Sequence, residues 1–236
     1  MEHLFDDNIK QLCKEIRETV PLDFVKHEKQ SYNSTIKKDD KTGSPESATV
    51  WYYEPLSLPK IAHELYHIKI GLILGDIEVM VAGCSNNFYT QHLLDYEFCS
   101  GFLNQIDHCI FYHLYKSQGY PDMDFFEGVD PVPFNAKLDT IEKVSIKQSN
   151  GKYVFEHVAN YMRLMVLFMF FPIDGRFKNQ VHRLKHIDSS LFNIFKDLHK
   201  VVTGMDIMPE NREKLQNAYV SFRNAIDHWT SSRKFC

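Results

Sequence analysis

The sequence predicts an α+β fold that is predominantly helical, and this prediction rests on three observations. Apolar residues recur every three to four positions in several long stretches, as they do in amphipathic helices. Only one short stretch, 48–53, is dominated by β-branched and aromatic residues, which is typical of a strand. The hydrophobic share of 44% and the aromatic share of 14% indicate a globular chain with a core of large side chains.

The N-terminal half contains the predicted strand and two helices. Residues 4–20 repeat apolar positions with the period of a helix, which Pro21 ends. Residues 27–47 are polar, and within them residues 37–45 are predicted to form a turn or an exposed loop. After the strand at 48–53, a helix is predicted from Leu58-Pro59 to about residue 74, because proline is favoured in the first turn of a helix.

The rest of the chain is predicted to be helical apart from one irregular stretch. A long helix is expected over 89–116, followed by a loop at 121–135 that contains three prolines. Further helices are predicted at 153–171, 177–203 and 209–230. The proline-rich loop is a candidate boundary, so we expect a metal-binding domain at 1–135 and a helical region at 136–236 that can pack with it as one domain.

The charge and hydropathy patterns exclude two classes of partner. The net charge of -4 gives no basic field, so neither a nucleic acid nor an anionic membrane is expected to bind. Basic residues do cluster at 176–200, and we interpret them as a solvated helix face. The most apolar run, 162–171, is much shorter than the roughly 20 residues that span a bilayer, so it is predicted to be a buried helix.

The cysteines favour a reducing compartment. The chain has 5 cysteines and no CxxC pair. Its first residues also lack the basic and apolar regions of a signal peptide. We therefore expect reduced thiols and a cytoplasmic location.

Residues 63–67, His-Glu-Leu-Tyr-His, form the motif with the clearest chemistry. His63 and His67 are four positions apart on a predicted helix, so both imidazoles project from one face and can share a tetrahedral Zn²⁺ at about 2.0–2.1 Å. Glu64 can take a proton from a water molecule held by the ion, which lowers the pKa of that water towards about 7. The spacing therefore predicts a zinc site with Glu64 as the catalytic base.

This motif, together with the strand that precedes it, resembles the zincin metallopeptidase superfamily. The resemblance implies a small zincin-like unit that hydrolyses a peptide bond in a protein or peptide substrate. It also implies that a sheet-edge strand lies beside the site and can bind the substrate by strand addition. Lys69 departs from the family pattern, in which this position is usually apolar.

A catalytic zinc site needs a third protein ligand and one open position. The longer zincin patterns are absent, because no histidine follows His67 until His92. The third ligand is therefore expected on a later helix, as in the gluzincins and aspzincins. Its candidates on the predicted helix 89–116 are Glu97, Asp107 and His108.

Helix geometry ranks these candidates. The apolar face of the predicted helix is formed by Leu103, Ile106, Ile110 and Leu114. At 100° per residue, Asp107 lies about 70° from the centre of this face and His108 lies nearly opposite it. Residues 104–108 also resemble a segment of small zincin-like proteins in which an acidic residue is followed by histidine. The sequence favours Asp107 and leaves His108 and Glu97 open.

A second motif supports a different function. Arg223 and His228 match the Arg-x4-His pattern of HEPN ribonucleases, in which the arginine holds phosphate and the histidine assists attack by the ribose 2′-hydroxyl. The pattern is short, and chance matches are frequent in a chain with 12 histidines. A ribonuclease is therefore an alternative to the peptidase. A non-catalytic metal-binding module for protein interaction is another, and it would close the site with a fourth protein ligand.

Overall fold

A computed structural model of the chain describes residues 2–29, 31–75, 87–125, 131–172 and 175–236. These ranges contain a short 3-10 helix at Glu2–Leu4, ten α-helices and one three-stranded sheet. The prediction of a predominantly helical α+β fold is therefore confirmed. None of the described helices combines the length and the apolar character that crossing a membrane requires.

The sheet lies in the first third of the chain, and helices follow it. In chain order the elements are α1 (Asp7–Arg17), β1 (Leu22–Lys26), β2 (Asn33–Lys38), β3 (Pro45–Tyr52), α2 (Leu58–Ile73), α3 (Phe88–Leu93), α4 (Tyr96–Ser117), α5 (Asp122–Phe125), α6 (Pro131–Val144), α7 (Phe155–Met169), α8 (Lys178–Ile187), α9 (Ser189–Val202) and α10 (Asn211–Ser231).

The chain divides into two compact units that are not continuous in sequence. Unit 1 comprises Met1–Asp76, Phe111–Gly128 and Ile207–Pro209. Unit 2 comprises Ile77–Ile110, Val129–Asp206 and Glu210–Cys236. Helix α4 begins in unit 2 and ends in unit 1. The division into domains 1–135 and 136–236 stays a prediction.

In unit 1, α1 forms because its apolar residues share one face and because its first turn is capped. The side chain of Asp6 accepts a hydrogen bond from the backbone of Ile9 at 2.8 Å, a cap of the kind that typically contributes about 1 kcal/mol. Asp6 also accepts a hydrogen bond from the hydroxyl of Tyr120 at 2.8 Å. The predicted apolar face of this helix is confirmed, and it is formed by Ile9, Leu12, Cys13 and Ile16.

The sheet has the order β1-β3-β2, with β1 parallel and β2 antiparallel to β3. The predicted strand at 48–53 is confirmed and forms most of β3, the central strand. The turn or loop predicted at 37–45 is confirmed over 39–44, which connect β2 to β3, whereas no strand was predicted where β2 lies. Alternate residues of β2 are exposed and none is buried, so pairing with the backbone of β3 defines this strand without an apolar pattern.

Helix α2 has Pro59 in its first turn, as predicted, and buries most of its surface. Its buried residues are Ile61, Ala62, Leu65, Tyr66, Ile68 and Ile70. Gly71 lies so close to β2 that a Cβ atom there would be 2.6 Å from Cδ1 of Ile36. The glycine therefore allows α2 to approach the edge strand closely, which brings the histidine motif towards that strand.

Lys69 is the residue of α2 that departs from the zincin pattern, and it pairs with α1. Its ammonium group lies 2.7 Å from a carboxylate oxygen of Glu15. Burial opposes ionisation of Glu15, but hydrogen bonds from Lys69 and Gln11 outweigh it and lower the pKa of this carboxyl. The lysine can therefore occupy an apolar position because its charge has a partner.

This pair predicts a pH-dependent stability effect. Since the pKa of Glu15 is lowered on folding, the pair stabilises the fold above the unfolded pKa of about 4.3, and the contribution disappears as the pH falls through the folded value. Lys69→Gln should cost on the order of 1 kcal/mol at pH 7 and progressively less below about pH 4. Urea denaturation at pH 7 and pH 3.5 measures this, with Lys10→Gln as an exposed control. An equal cost at both pH values would contradict the prediction.

In unit 2, two helices predicted as continuous are interrupted at aspartates, so those predictions were wrong in this respect. Asp95 separates α3 from α4, and its side chain accepts from the backbone of Phe98 at 2.7 Å. Asp188 separates α8 from α9 and accepts from the backbone of Leu191 at 2.8 Å. Each carboxylate caps a new helix, which favours a break over a continuous helix.

The remaining predictions for the C-terminal part have mixed outcomes. The buried helix over 153–171 is confirmed as α7, and the helix over 209–230 is confirmed as α10. The irregular stretch at 121–135 was wrong in part, because α5 lies within it and α6 begins in it. Residues 126–130 lie outside the described part of the chain. The predicted aromatic core is present in unit 2, where Phe102, Phe195, Tyr219 and Phe222 are in ring contact.

Candidate metal centre

His63 and His67 lie one turn apart on α2, and their rings face each other. The two Nε2 atoms are 3.2 Å apart. Two nitrogens that each lie 2.0–2.1 Å from one tetrahedral ion are separated by about 3.3 Å. The same distance also suits an N–H···N hydrogen bond between neutral rings. The pair therefore has the geometry to share one ion without rearrangement of α2.

His108 joins this pair. One ring nitrogen from each of His63, His67 and His108 can be chosen so that all three atoms lie within 4.8 Å of one another. His108 is on α4, within one turn of Phe111, whose ring packs edge-on against both His63 and His67 at centroid distances of 5.3 and 5.0 Å. The structure thus shows a buried three-histidine group that could hold a metal ion, and three imidazoles form a known ligand set of catalytic zinc.

The other two candidates for the third ligand lie elsewhere on α4. Asp107 is outside the three-histidine group. Burial raises the pKa of Tyr219 in unit 2, and the charge of Asp107 adds to this effect, which places the carboxylate near that tyrosine. Glu97 is largely exposed and accepts a hydrogen bond from Arg163 at 3.3 Å. The structure therefore brings His108, and not the favoured Asp107, to the histidine pair.

Helix α4 is buried on two opposite sides, which explains this difference. Phe102, Ile106 and Ile110 form one buried stripe, which contains two of the four residues of the apolar face that the sequence indicated. His108, Phe111 and Tyr115 are also buried, and their spacing of three and four residues gives a second stripe on the opposite side. The direction of a single apolar face therefore did not identify the side that meets α2. The second stripe is a sequence signal that His108 is buried, but it does not show which of the two sides meets α2.

Glu64 is held by the edge strand of the sheet. Its Oε2 atom accepts a hydrogen bond from the hydroxyl of Ser34 on β2 at 2.7 Å. Burial raises the pKa of Glu64, while the nearby charge of His67 and the bond from Ser34 oppose this rise without cancelling it. A carboxylate with a raised pKa binds a proton more readily, which suits a general base. Sequence reasoning missed Ser34 because it lies in the polar segment 27–47, in which no strand was predicted.

Aromatic rings surround His63. Its ring centroid lies 4.7 Å from that of Phe125 and 6.5 Å from that of Tyr115. Burial among these groups, followed by the charge of His67, lowers the pKa of His63 well below its usual value. The imidazole is therefore neutral at physiological pH, and the neutral ring is the form that binds a metal ion.

A cleft of about 340 Å³ opens onto His63 and Glu64 within unit 1. Its other lining residues are Ser31, Tyr32, Lys60, Asp124 and Phe125. The ammonium group of Lys60 lies over the rings of Tyr32 and Tyr53 at 5.6 and 5.7 Å. The hydroxyl of Tyr32 accepts from the backbone of Ser57 at 2.8 Å, which fixes this wall of the cleft. Water and a substrate can thus reach the carboxylate of Glu64 from solvent.

The sequence left the residue that stabilises an oxyanion open among Tyr112, His113, Tyr153 and His157. None of the four lines the cleft. The hydroxyl of Tyr112 donates to Asp122 at 2.7 Å. Tyr32, which the sequence did not single out, is the tyrosine on the cleft wall.

The two residues of the ribonuclease pattern lie on α10. Arg223 is half-buried and donates to the side chain of Asn224 at 3.2 Å, and His228 is exposed. Five residues along a helix correspond to a rotation of about 140°, so these two side chains leave α10 on different sides. The ribonuclease stays a prediction to which the described contacts add no support.

Comparison with known proteins places the chain in no family. No protein-family model matches it, and neither do the curated proteins or the solved structures.

Proposed function

We propose that this chain is a zinc-dependent metallopeptidase in which His63, His67 and His108 hold the ion and Glu64 is the general base. The observation that supports this proposal most directly is the grouping of three histidine nitrogens within 4.8 Å of one another, two of them from the helix that carries Glu64. Three imidazoles also suit copper, iron and nickel. Zinc is proposed because three protein ligands with one open position form its usual hydrolytic site.

The size of the ligand group favours a catalytic centre over a structural one. A structural zinc site is closed by four protein ligands, whereas a catalytic site keeps one position for water or substrate. Among the described residues the group has three members. A cleft reaches His63 and Glu64, so solvent has access to one of the three histidines and to the proposed base. The three-ligand group therefore supports the peptidase over the non-catalytic module.

Glu64 performs the proton transfers in the proposed reaction. When bound, zinc lowers the pKa of a water molecule towards about 7 and polarises the carbonyl of the scissile bond. The carboxylate of Glu64 accepts a proton from the attacking water and later gives it to the leaving amine. Ser34 fixes Oε2 of this carboxylate, so Oε1 is the oxygen that handles the proton.

The outer edge of β2 offers a binding site for an extended peptide. Within the described residues β2 pairs with β3 alone, so its second edge can accept another strand. Ser34 belongs to β2 and contacts Glu64, which places this edge beside the base. A peptide added to the edge would pass the cleft with its backbone held in a fixed register.

Metal analysis and peptide hydrolysis test the proposal together. The purified protein should contain about one zinc per chain and should cleave members of a peptide library in a reaction that a chelator stops and added zinc restores. His63→Ala should lose both zinc and cleavage, whereas the exposed His92→Ala should retain both. Zinc content below about 0.2 per chain that is unchanged in His63→Ala would contradict the metal site.

The hydrogen bond from Ser34 predicts a smaller effect on the same reaction. Ser34→Ala removes a bond to a charged group, and such bonds contribute about 1.5–3 kcal/mol. We expect kcat to fall about 10-fold to 100-fold with the zinc content unchanged, because the base is less well oriented. Ser34→Thr keeps the hydroxyl and should restore most of the rate. A rise in KM alone, with kcat unchanged, would show that Ser34 contributes to substrate binding instead.

A further inference from the structure

Unit 2 contains a cavity of about 650 Å³ that shares no residue with the metal centre. It lies between the end of α7 and the facing sides of α8 and α9. Its volume is within the range of about 300–1,000 Å³ that is typical of small-molecule sites. The cavity is therefore large enough for a ligand of the size of a nucleotide or a short lipid.

One wall of the cavity is aromatic and well packed. Phe168, Phe171, Phe177 and Phe192 line it, and each of these side chains is at most 7% exposed. The ring of Phe177 packs edge-on against those of Phe168 and Phe171 at centroid distances of 5.0 and 4.9 Å. Because these rings hold each other in place, the wall is a preformed apolar surface on which a ring or a chain of CH₂ groups can lie.

The solvent-exposed rim of the cavity is basic. Lys178, His182 and Lys185 lie on one face of α8, at spacings of four and three residues, and all three line the cavity. Lys196 and His199 line it from α9. No described lining residue carries a carboxylate. This concentration of positive charge occurs in a chain whose net charge is -4.

Neighbouring ion pairs lie outside this rim. Arg183, which is on the same helix as the basic face, is bound by Asp139 and Glu142 and does not line the cavity. Lys200 pairs with Asp197 on the exposed side of α9. These three carboxylates thus have other cations as partners. The sequence interpretation of 176–200 as a solvated face was incomplete, because part of that face borders an aromatic-walled cavity.

We infer that this cavity binds a phosphate monoester that carries an apolar body. Three lysines favour a group with two negative charges and several acceptor oxygens over a single carboxylate. The phenylalanine wall buries the body while the head stays at the rim, which is the arrangement of polar and apolar groups expected in a small-molecule site. A nucleoside monophosphate and a phosphorylated alkyl chain share this chemistry, so they are the two sources to compare.

Calorimetric titration of the full chain distinguishes a nucleoside monophosphate from a phosphorylated alkyl chain. The probes are adenosine monophosphate, dodecyl phosphate below its critical micelle concentration, and inorganic phosphate as the head group alone. We expect at least one of the two esters to bind about tenfold or more tightly than inorganic phosphate, with an affinity that decreases as salt increases. Preference for the first ester indicates a nucleotide, and preference for the second indicates a lipid phosphate. If neither binds more tightly than inorganic phosphate, the inference is wrong.

Two sets of variants locate the binding. The triple variant Lys178→Gln, Lys185→Gln, Lys196→Gln should weaken the preferred ester at least about tenfold. The matched triple Lys143→Gln, Lys152→Gln, Lys200→Gln removes the same charge from exposed positions of unit 2 and should bind normally. If both triple variants bind the ester equally weakly, the loss of affinity comes from the change in net charge, and the proposed site is wrong.

Val181→Glu provides a test that leaves every lysine in place. Val181 lines the cavity from a half-exposed position on α8, so the substitution should be compatible with folding, which thermal melting verifies. The new carboxylate would repel the phosphate and should reduce the affinity about tenfold or more. Unchanged binding in a folded Val181→Glu variant would place the ligand elsewhere and contradict the inference.

Discussion

His108→Ala is expected to release most of the zinc from the purified protein, whereas Asp107→Asn is expected to leave the zinc content unchanged. The structure places His108 within 4.8 Å of the other two histidine nitrogens and leaves Asp107 outside that group. Since a site with four ligands is worth about 10–16 kcal/mol, one ligand contributes on the order of 3 kcal/mol, or about a 100-fold change in affinity. Competition with a zinc chelator of known affinity measures this change directly.

The control for this comparison is His113→Ala, which removes an exposed histidine from the same helix. It should bind zinc as the unmodified chain does. Circular dichroism would confirm that His108→Ala retains its helices, so that loss of zinc is not loss of fold. Release of zinc by Asp107→Asn combined with retention in His108→Ala would reverse the assignment and restore the ligand that the sequence favoured.

The sequence was sufficient for the part of the site that lies on one helix. His63, Glu64 and His67 are close in sequence, so helix periodicity alone fixes their relative positions. The third histidine comes from another helix, and its direction depends on which neighbour that helix meets. Helix α4 has two buried sides, and no local pattern states which of them faces α2. His63 and His67 were therefore predictable from the sequence, whereas the assignment of His108 required the tertiary structure.

The edge strand β2 also could not be predicted from the sequence alone. Strand β3 was predicted because the central strand of a sheet is buried and therefore rich in β-branched and aromatic residues. Strand β2 has alternating exposed positions and polar residues, so nothing in its composition separates it from a loop. Its backbone pairs with β3, and this pairing brings Ser34 to Glu64. A polar residue of functional interest was thus hidden in a segment whose structure depends on a long-range contact.

Glu64→Gln is expected to abolish peptide hydrolysis while leaving zinc in place. Glutamine has the size of glutamate and can still accept a hydrogen bond from Ser34 through its amide oxygen, but it cannot take a proton from the attacking water. General base catalysis contributes about 10²–10⁴-fold, so kcat should fall by that factor with little change in KM. Initial rates on a cleaved peptide, measured with the zinc content of the same samples, test this expectation.

Glu46→Gln is the matched control, because Glu46 is a partly exposed carboxylate on β3 that pairs with Lys37 and does not line the cleft. It should retain full activity. If Glu64→Gln binds zinc and cleaves peptides at the original rate, the assignment of Glu64 as the base fails although the metal site stands. If the zinc-loaded protein cleaves no peptide, the peptidase proposal fails. RNA cleavage that is lost in His228→Ala and unaffected by a chelator would then support the ribonuclease. Because zinc content and cleavage are measured separately, the metal site and the reaction can fail independently of each other.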